Sequence, residues 1–412
     1  MLPVRATSSV TAIAPHEFDL RSLPDAFYED PFPTYRRLRT ETPILELPGG
    51  GYLLTRHRDL VEVYKNSRTF SSDKCAQFAP AFGEGSPLYE HHTTSLVFND
   101  PPLHTNVRRA IGNALSNRMV EVMRGDVESL VGEILHSLEG QSSFDLITDF
   151  ASAIPVEIIG NMLLIPKEER APLRRWSLAI LGSLEVGLDE AGLKHGNESV
   201  REFLAFLEEF IGRRRDSLSE DDDDIVSRLI RWRADGFRLT ETELYHQCIF
   251  LLNAGHETTT NLISNGIDLL LHYPEVRLQL NAEPELIDTA IEEFLRFESP
   301  NQLGNRTTTE DVVLGEVRVP AGTVLTLCIG AANRDPDVFS EPDTLDINRD
   351  PNPHLAFGSG IHTCAGLSVA RLEARVAILQ LIQRFPNLAS DGAAVRSKRA
   401  RFRGFETVPV RP

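Results

Sequence analysis

The run Phe357-Gly358-Ser359-Gly360-Ile361-His362-Thr363-Cys364-Ala365-Gly366 sets one cysteine among three glycines, directly ahead of a long helical pattern. Gly358 and Gly360 come before Cys364, where the chain can turn back on itself without a Cβ penalty. Gly366 follows, where a side chain would hold a flat ligand off the backbone. Over residues 367–385, Leu367, Ala370, Ala374, Ala377 and Leu381 fall on one stripe of an amphipathic helix. Cys364 is therefore expected at a helix N-terminus, where partial positive charge and free N–H groups favour thiolate over thiol.

A thiolate held in this way can attack an electrophile, bind a metal or ligate haem iron. Attack needs a base, and His362 is the local candidate. Zinc needs a second sulfur at short spacing, but Cys75, Cys248 and Cys328 all lie far away in the chain. Haem suits the loop best, because an axial thiolate pushes electron density onto the iron and favours O–O cleavage. The pattern Phe357-x-x-Gly360-x-His362-x-Cys364-x-Gly366 resembles the haem-binding signature of the cytochrome P-450 superfamily. That resemblance implies a mainly α fold with a minor β part, one large haem domain over residues 16–412 behind a loose tail at 1–15.

At 412 residues the chain exceeds a typical domain, yet the resembling family folds this length as a single unit. Asp and Glu number 60 against 42 Lys and Arg, a net charge of −18 that argues against nucleic acid and against an anionic membrane surface. No apolar run is long enough to span a bilayer, and the N-terminus has no signal-peptide core. The scattered cysteines speak against disulfides and against an iron–sulfur cluster. A cytoplasmic monomer is the expectation.

The second chemical centre lies in a helical pattern over 240–273. Thr240-Glu241-Thr242-Glu243 reads as a capping box that opens it. At its middle stands Ala254-Gly255-His256-Glu257-Thr258-Thr259, where an acid and a hydroxyl in a buried helix are costly unless they work or pair. The Thr258 hydroxyl can bond back to the Ala254 carbonyl and loosen the helix. Ala254 and Gly255 then leave room for a small ligand. This resembles the family's oxygen-binding motif, which implies that Thr258 hydrogen-bonds the bound oxygen, that Glu257 relays protons through water, and that Ala254 borders the haem.

In Asp100-Pro101-Pro102-Leu103-His104 a further helix opens, and His104 and Arg108 share one of its faces. The resemblance assigns this pair, with Arg306 and His362, to the two haem propionates. His354 is a further candidate there, and Phe357 and Gly366 belong to the cofactor's bed. Glu293 and Arg296, spaced i and i+3, form an internal ion pair; in the family such a pair is a structural lock joined by a third cation. Where the family has an arginine this chain has Thr344, so Arg349 or Arg334 is left to take that place. The substrate wall is read as Phe82, Leu96, Phe250, Leu251, Gln302 and Leu303, with Ala254. Elsewhere the pattern predicts a helix over 31–40, a β-hairpin over 44–55, an irregular loop over 71–98, an interruption of the helices over 182–196, which the resemblance places between two lid helices, and a strand-like end over 401–410 returning to the pocket.

These expectations describe a haem-thiolate monooxygenase. It would carry haem b and insert one atom of O2 into a small apolar substrate by hydroxylation or dealkylation. Electrons would come from NAD(P)H through a ferredoxin reductase and a ferredoxin docked near Arg108, Arg109 and Arg371. The rival readings are a peroxygenase using hydrogen peroxide, where a basic residue would replace Glu257; a non-catalytic haem sensor or carrier, which would need neither Glu257 nor Thr258; and a thiol hydrolase using Cys364 and His362.

Overall fold

The computed structural model describes residues 10–112, 115, 117–222, 224–232 and 238–412. The longest helix among them, Glu241–His272, starts at the expected capping box: Thr240 Oγ1 accepts from the Glu243 amide at 3.1 Å and the Glu243 carboxylate accepts from the Thr240 amide at 2.7 Å. Its apolar residues run around most of its circumference, so helices pack on every side, among them Ala153–Met162, Leu173–Gly182, Ile287–Phe297 and Leu367–Arg384.

Two apolar cores meet along this helix. Its C-terminal half joins Asn117–Leu138, Ile287–Phe297 and Leu367–Arg384 in one cluster. Its N-terminal half joins Leu103–Gly112, Leu173–Gly182, Glu190–Asp216 and Ile225–Arg231 in the other. A five-stranded sheet lies to the side in the order Ile44–Glu46, Tyr52–Leu54, Val324–Cys328, Leu303–Thr308, Phe70–Ser71. The predicted hairpin is its edge, with Leu45 opposite Leu53.

Three expectations are corrected. Residues 71–98 are not an irregular loop: they form the helices Cys75–Phe82 and Pro87–Thr94 and a short turn, Leu96–Phe98. Ser86 caps the second helix through the Tyr89 amide at 3.2 Å, and Pro87 supplies its first turn, a local start signal. The break between the lid helices is only residues 183–189, because Asp189 caps Glu190–Asp216 early, accepting from the Gly192 amide at 2.7 Å. The tail was read as loose over 1–15, of which 1–9 lie outside the described residues. Residues 12–15 are anchored: Arg37 donates to the Ala12 carbonyl at 3.2 Å, the Ile13 amide donates to Thr34 Oγ1 at 3.1 Å, and Ala14 is buried.

The lid connection is tied to the C-terminal strand region. Both Glu185 oxygens accept backbone amides, from Arg401 at 3.1 Å and Phe402 at 3.2 Å. Among the described residues, no helix is long and apolar enough to cross a membrane.

Candidate active site

Between the long helix and the Leu367–Arg384 helix lies a cavity that brings the two sequence centres together. Ala254, Gly255, Thr258 and Thr259 line one side, and Phe357, Cys364, Ala365 and Gly366 line the other. The Cys364 amide donates to the Phe357 carbonyl at 2.9 Å, which curls the loop around the thiol. Gly360 makes that curl possible in two ways. Its φ is +72°, and a Cβ there would lie 2.2 Å from the Tyr64 carbonyl oxygen. Gly366 opens onto free space, as a flat ligand requires.

The helix N-terminus alone does not make Cys364 a thiolate. Burial pushes the thiol up, while the Gly366 amide, Arg108 and Arg371 pull it back only in part. Coordination to a metal ion would deprotonate it outright.

At the rim of the cavity His104, Arg108, Arg306 and His362 converge. The His104 and His362 rings are 4.1 Å apart between centroids. Neither ring nitrogen of His104, nor Nε2 of His362, has a hydrogen-bond partner. Buried polar atoms are seldom left without one. Burial holds both imidazoles below their ordinary value, His362 at about 2, with Arg306 and His104 adding to the effect on it. Arg306 is buried too, lying 5.2 Å from the Tyr64 ring. Cations and imidazoles crowded in this way repel one another and gain from anionic company. The residues therefore fit a flat ligand with a carboxylate edge, as haem is.

Behind the cavity, Glu293 and Arg296 are fully buried and pair through two bonds of 2.7 Å. The third cation is Arg349, 3.2 Å from Glu293. Arg334 instead bonds the Phe297 carbonyl and Asp343.

On the long helix, Thr258 Oγ1 donates to the Ala254 carbonyl at 3.0 Å, as the sequence predicts. Glu257 does not line the cavity. One of its oxygens pairs with Arg399 and the other has no partner. Burial raises its carboxyl, and Arg399 opposes that.

Three predicted site residues stand elsewhere. His354 is outside the cavity lining, with Nε2 3.0 Å from Glu292, a carboxylate that also holds Arg371 at 2.6 Å. Glu292 on Nε2 and the Ala356 amide, which donates to Nδ1 at 3.2 Å, fill the imidazole's hydrogen-bonding capacity, and Glu292 also draws Arg371 away from the role of a free docking charge. Phe82 packs inward on Phe78 and His92. Gln302 is turned into the protein, donating to the Ser299 carbonyl at 2.7 Å, while its neighbour Leu303 lines the cavity. Leu96, Phe250 and Leu251 line it as expected.

Other residues of the site had no sequence signal. Lys74 is 1% exposed, with its ammonium 3.2 Å from Thr307 Oγ1, and burial, then Arg306, lowers it to about 7. His91, Asn253 and Glu373 line the cavity because tertiary packing brings their elements there, whereas Arg401 lines it where the chain's end over 401–410 is expected to return to the pocket.

A family model described as Cytochrome P450 matches residues 188–405. The chain is 34% identical over 388 residues to the biotin biosynthesis cytochrome P450 of Bacillus subtilis, covering 93% of this chain and 96% of that one. It is 36% identical over 386 residues to the vitamin D(3) 25-hydroxylase of Pseudonocardia autotrophica, covering 92% of each. Among solved structures, P450BioI in complex with an acyl carrier protein ligated to hexadec-9Z-enoic acid superposes with a TM-score of 0.87 at 33% identity, over 95% of this chain and all of that one. Cavity, cysteine loop and relatives agree: this chain belongs to the cytochrome P450 family and is a haem-dependent monooxygenase of the bacterial type.

Proposed function

We propose that the protein hydroxylates or dealkylates a mainly apolar small molecule, using a haem b that Cys364 would hold through its thiolate and that His104, Arg108, Arg306 and His362 would hold through its propionates. One observation carries this reading: imidazole nitrogens of His104 and His362, buried and without a partner, and two arginines line the same cavity as Cys364 and Thr258. When bound, haem supplies the activation of O2 that side chains lack: one oxygen atom enters a substrate C–H bond and the other leaves as water, at the expense of two electrons and two protons. The chain does the rest. Leu96, Phe250, Leu251 and Leu303 exclude water and orient the substrate. The Thr258 hydroxyl, freed from the Ala254 carbonyl, offers a proton in the cavity. Glu257, paired with the permanently charged Arg399, takes protons from outside and passes them toward Thr258.

Electrons come, in this reading, from NAD(P)H through a ferredoxin reductase and a ferredoxin that meets the face around Arg109. Four free cysteines support a cytoplasmic setting. Relatives named for biotin biosynthesis, vitamin D(3) and epothilone share no single substrate, so the substrate class rests on the cavity lining.

The deciding experiment is the absorption spectrum of purified, haem-supplied protein, reduced and exposed to carbon monoxide. A strongly red-shifted Soret band, lost in Cys364→Ser, is the expected result. A band at the position typical of histidine-ligated haem, or no haem uptake by folded protein, would sink the proposal. Turnover driven equally well by hydrogen peroxide without ferredoxin would favour the peroxygenase.

A further inference from the structure

Where the strand Leu303–Thr308 meets the helix His57–Lys65, one missing side chain decides what fits between them. A Cβ on Gly304 would stand 2.6 Å from the Tyr64 hydroxyl oxygen, with its next neighbours, Tyr64 Cζ and Leu327 Cβ, at 3.6 and 3.8 Å. The hydroxyl therefore fills the space that a side chain at 304 would take. Side chains two apart on a strand leave the same face, so Arg306 projects from this face too. Its guanidinium lies 5.2 Å from the centre of the Tyr64 ring, and its Nη1 donates to the Asn305 carbonyl at 2.8 Å.

Tyr64 is 5% exposed and lines the cavity with Gly304, Arg306, His104 and His362. Its hydroxyl has no hydrogen-bond partner among the described residues. Unlike the His104 nitrogens it is not sealed from open space, and for a side chain this deep the open space is the cavity. The backbone is fixed as well, since Gly360 of the cysteine loop packs against the Tyr64 carbonyl. Burial raises the phenol above its ordinary value, and Arg306 and Arg401 oppose that only in part, so the hydroxyl keeps its proton and can donate.

Resting on the haem reading above, we infer that the Tyr64 hydroxyl donates a hydrogen bond to the same haem propionate that Arg306 binds, and that Gly304 is what lets it reach. A carboxylate has about four acceptor sites, more than one edge of a guanidinium supplies, so the two donors share it without competing. The chemistry recognised is a carboxylate beside a buried cation. Haem is the source to which the rim around Arg306 and His362 points, and a carboxylate on some other ligand is the source that the test separates from it.

The test is haem transfer from the loaded full-length enzyme to apomyoglobin. Tyr64→Phe should release haem about 10-fold faster than the parent, the loss of one hydrogen bond to a charged group. The Tm of its haem-free chain should not fall, because the hydroxyl has no protein partner to lose. Gly304→Ala sets a methyl against the hydroxyl and should speed transfer to a similar extent, yet add less than about 2-fold in the Tyr64→Phe background. With the dimethyl ester of haem b, the gap between parent and Tyr64→Phe should shrink to about 2-fold, since a neutral acceptor gains less. Equal transfer rates, a gap that survives esterification, or effects of the two substitutions that simply multiply would each overturn the proposal. So would a lower Tm for haem-free Tyr64→Phe. A different carboxylate source has its own signature: Tyr64→Phe would weaken binding of dodecanoate relative to dodecanol, read from the Soret shift, and leave haem transfer unchanged. The carbon monoxide spectrum separates the two levels of failure. A red-shifted band with equal transfer rates sinks this inference alone, and a parent without that band sinks the haem-thiolate assignment with it.

Discussion

The Glu293 carboxylate, the His104 imidazole and Nε2 of the half-buried His362 are all removed from solvent, yet the chain treats them in opposite ways. Glu293 accepts from Arg296, Arg349, Asn352 and the Asp346 amide, at distances between 2.7 and 3.4 Å, so both its oxygens are satisfied by protein. On the cavity wall, His104, His362, His91, Asn253 and Glu373 each leave at least one atom unmatched. The Glu293 carboxylate is a closed circuit that fixes the fold. The unmatched atoms of the cavity wall are open to a bound ligand. Between these two places the difference is satisfaction, not burial.

The contrast can be broken from the closed side first. Glu293→Ala leaves Arg296 and Arg349 buried without a carboxylate, and should destabilise the fold by about 3–5 kcal/mol. Chemical unfolding of the two proteins measures it, and a loss under about 1 kcal/mol would remove the distinction. On the open side, Glu257→Gln should lower product formation about 100-fold while leaving the Tm near that of the parent. Unchanged turnover would make the Glu257–Arg399 pair a structural bridge. His104→Leu removes an imidazole that nothing in the protein satisfies. Haem should pass to apomyoglobin about 10-fold faster, with little change in the stability of the haem-free chain.

Glu373 sharpens the comparison through pH. Burial holds its carboxyl at about 8, against an ordinary 4.5. The folded chain keeps a proton that the unfolded chain releases, so stability falls as pH rises across that interval. Glu373→Gln removes this loss, and its Tm should equal the parent's near pH 4.5 and exceed it at pH 8. A difference independent of pH would mean Glu373 finds a partner when it ionises. The smallest effect is expected at the surface: Arg109→Glu should slow reduction by ferredoxin a few-fold at low salt and hardly at all at high salt.

What could be read from the sequence follows the range of the interactions. The capping box at Thr240, the Thr258–Ala254 bond and the turn at Gly360 depend on neighbours within a few residues, and each is visible in the letters. The helices over 75–94 had a local signal in Ser86-Pro87, but a run of aromatics and histidines hid the period. Arg349 could not be chosen over Arg334 as the third member of the lock, because both reach Glu293's region only through the folded loop. His354 and Gln302 were placed in the site by position along the chain. Their partners, Glu292 and the Ser299 carbonyl, come from packing and from the direction a side chain leaves its backbone.

The sheet has a consequence for how the protein is made. Its strands Val324–Cys328 and Leu303–Thr308 lie between Tyr52–Leu54 and Phe70–Ser71, and Gly360 presses on the backbone of Tyr64. The early hairpin and Phe70–Ser71 thus remain apart until residues 303–328 have left the ribosome. Long-range pairings of this kind form late and slowly. In the proposed reading, haem capture through Cys364 is therefore a step of the nearly finished polypeptide, and a chain halted before residue 357 should emerge colourless.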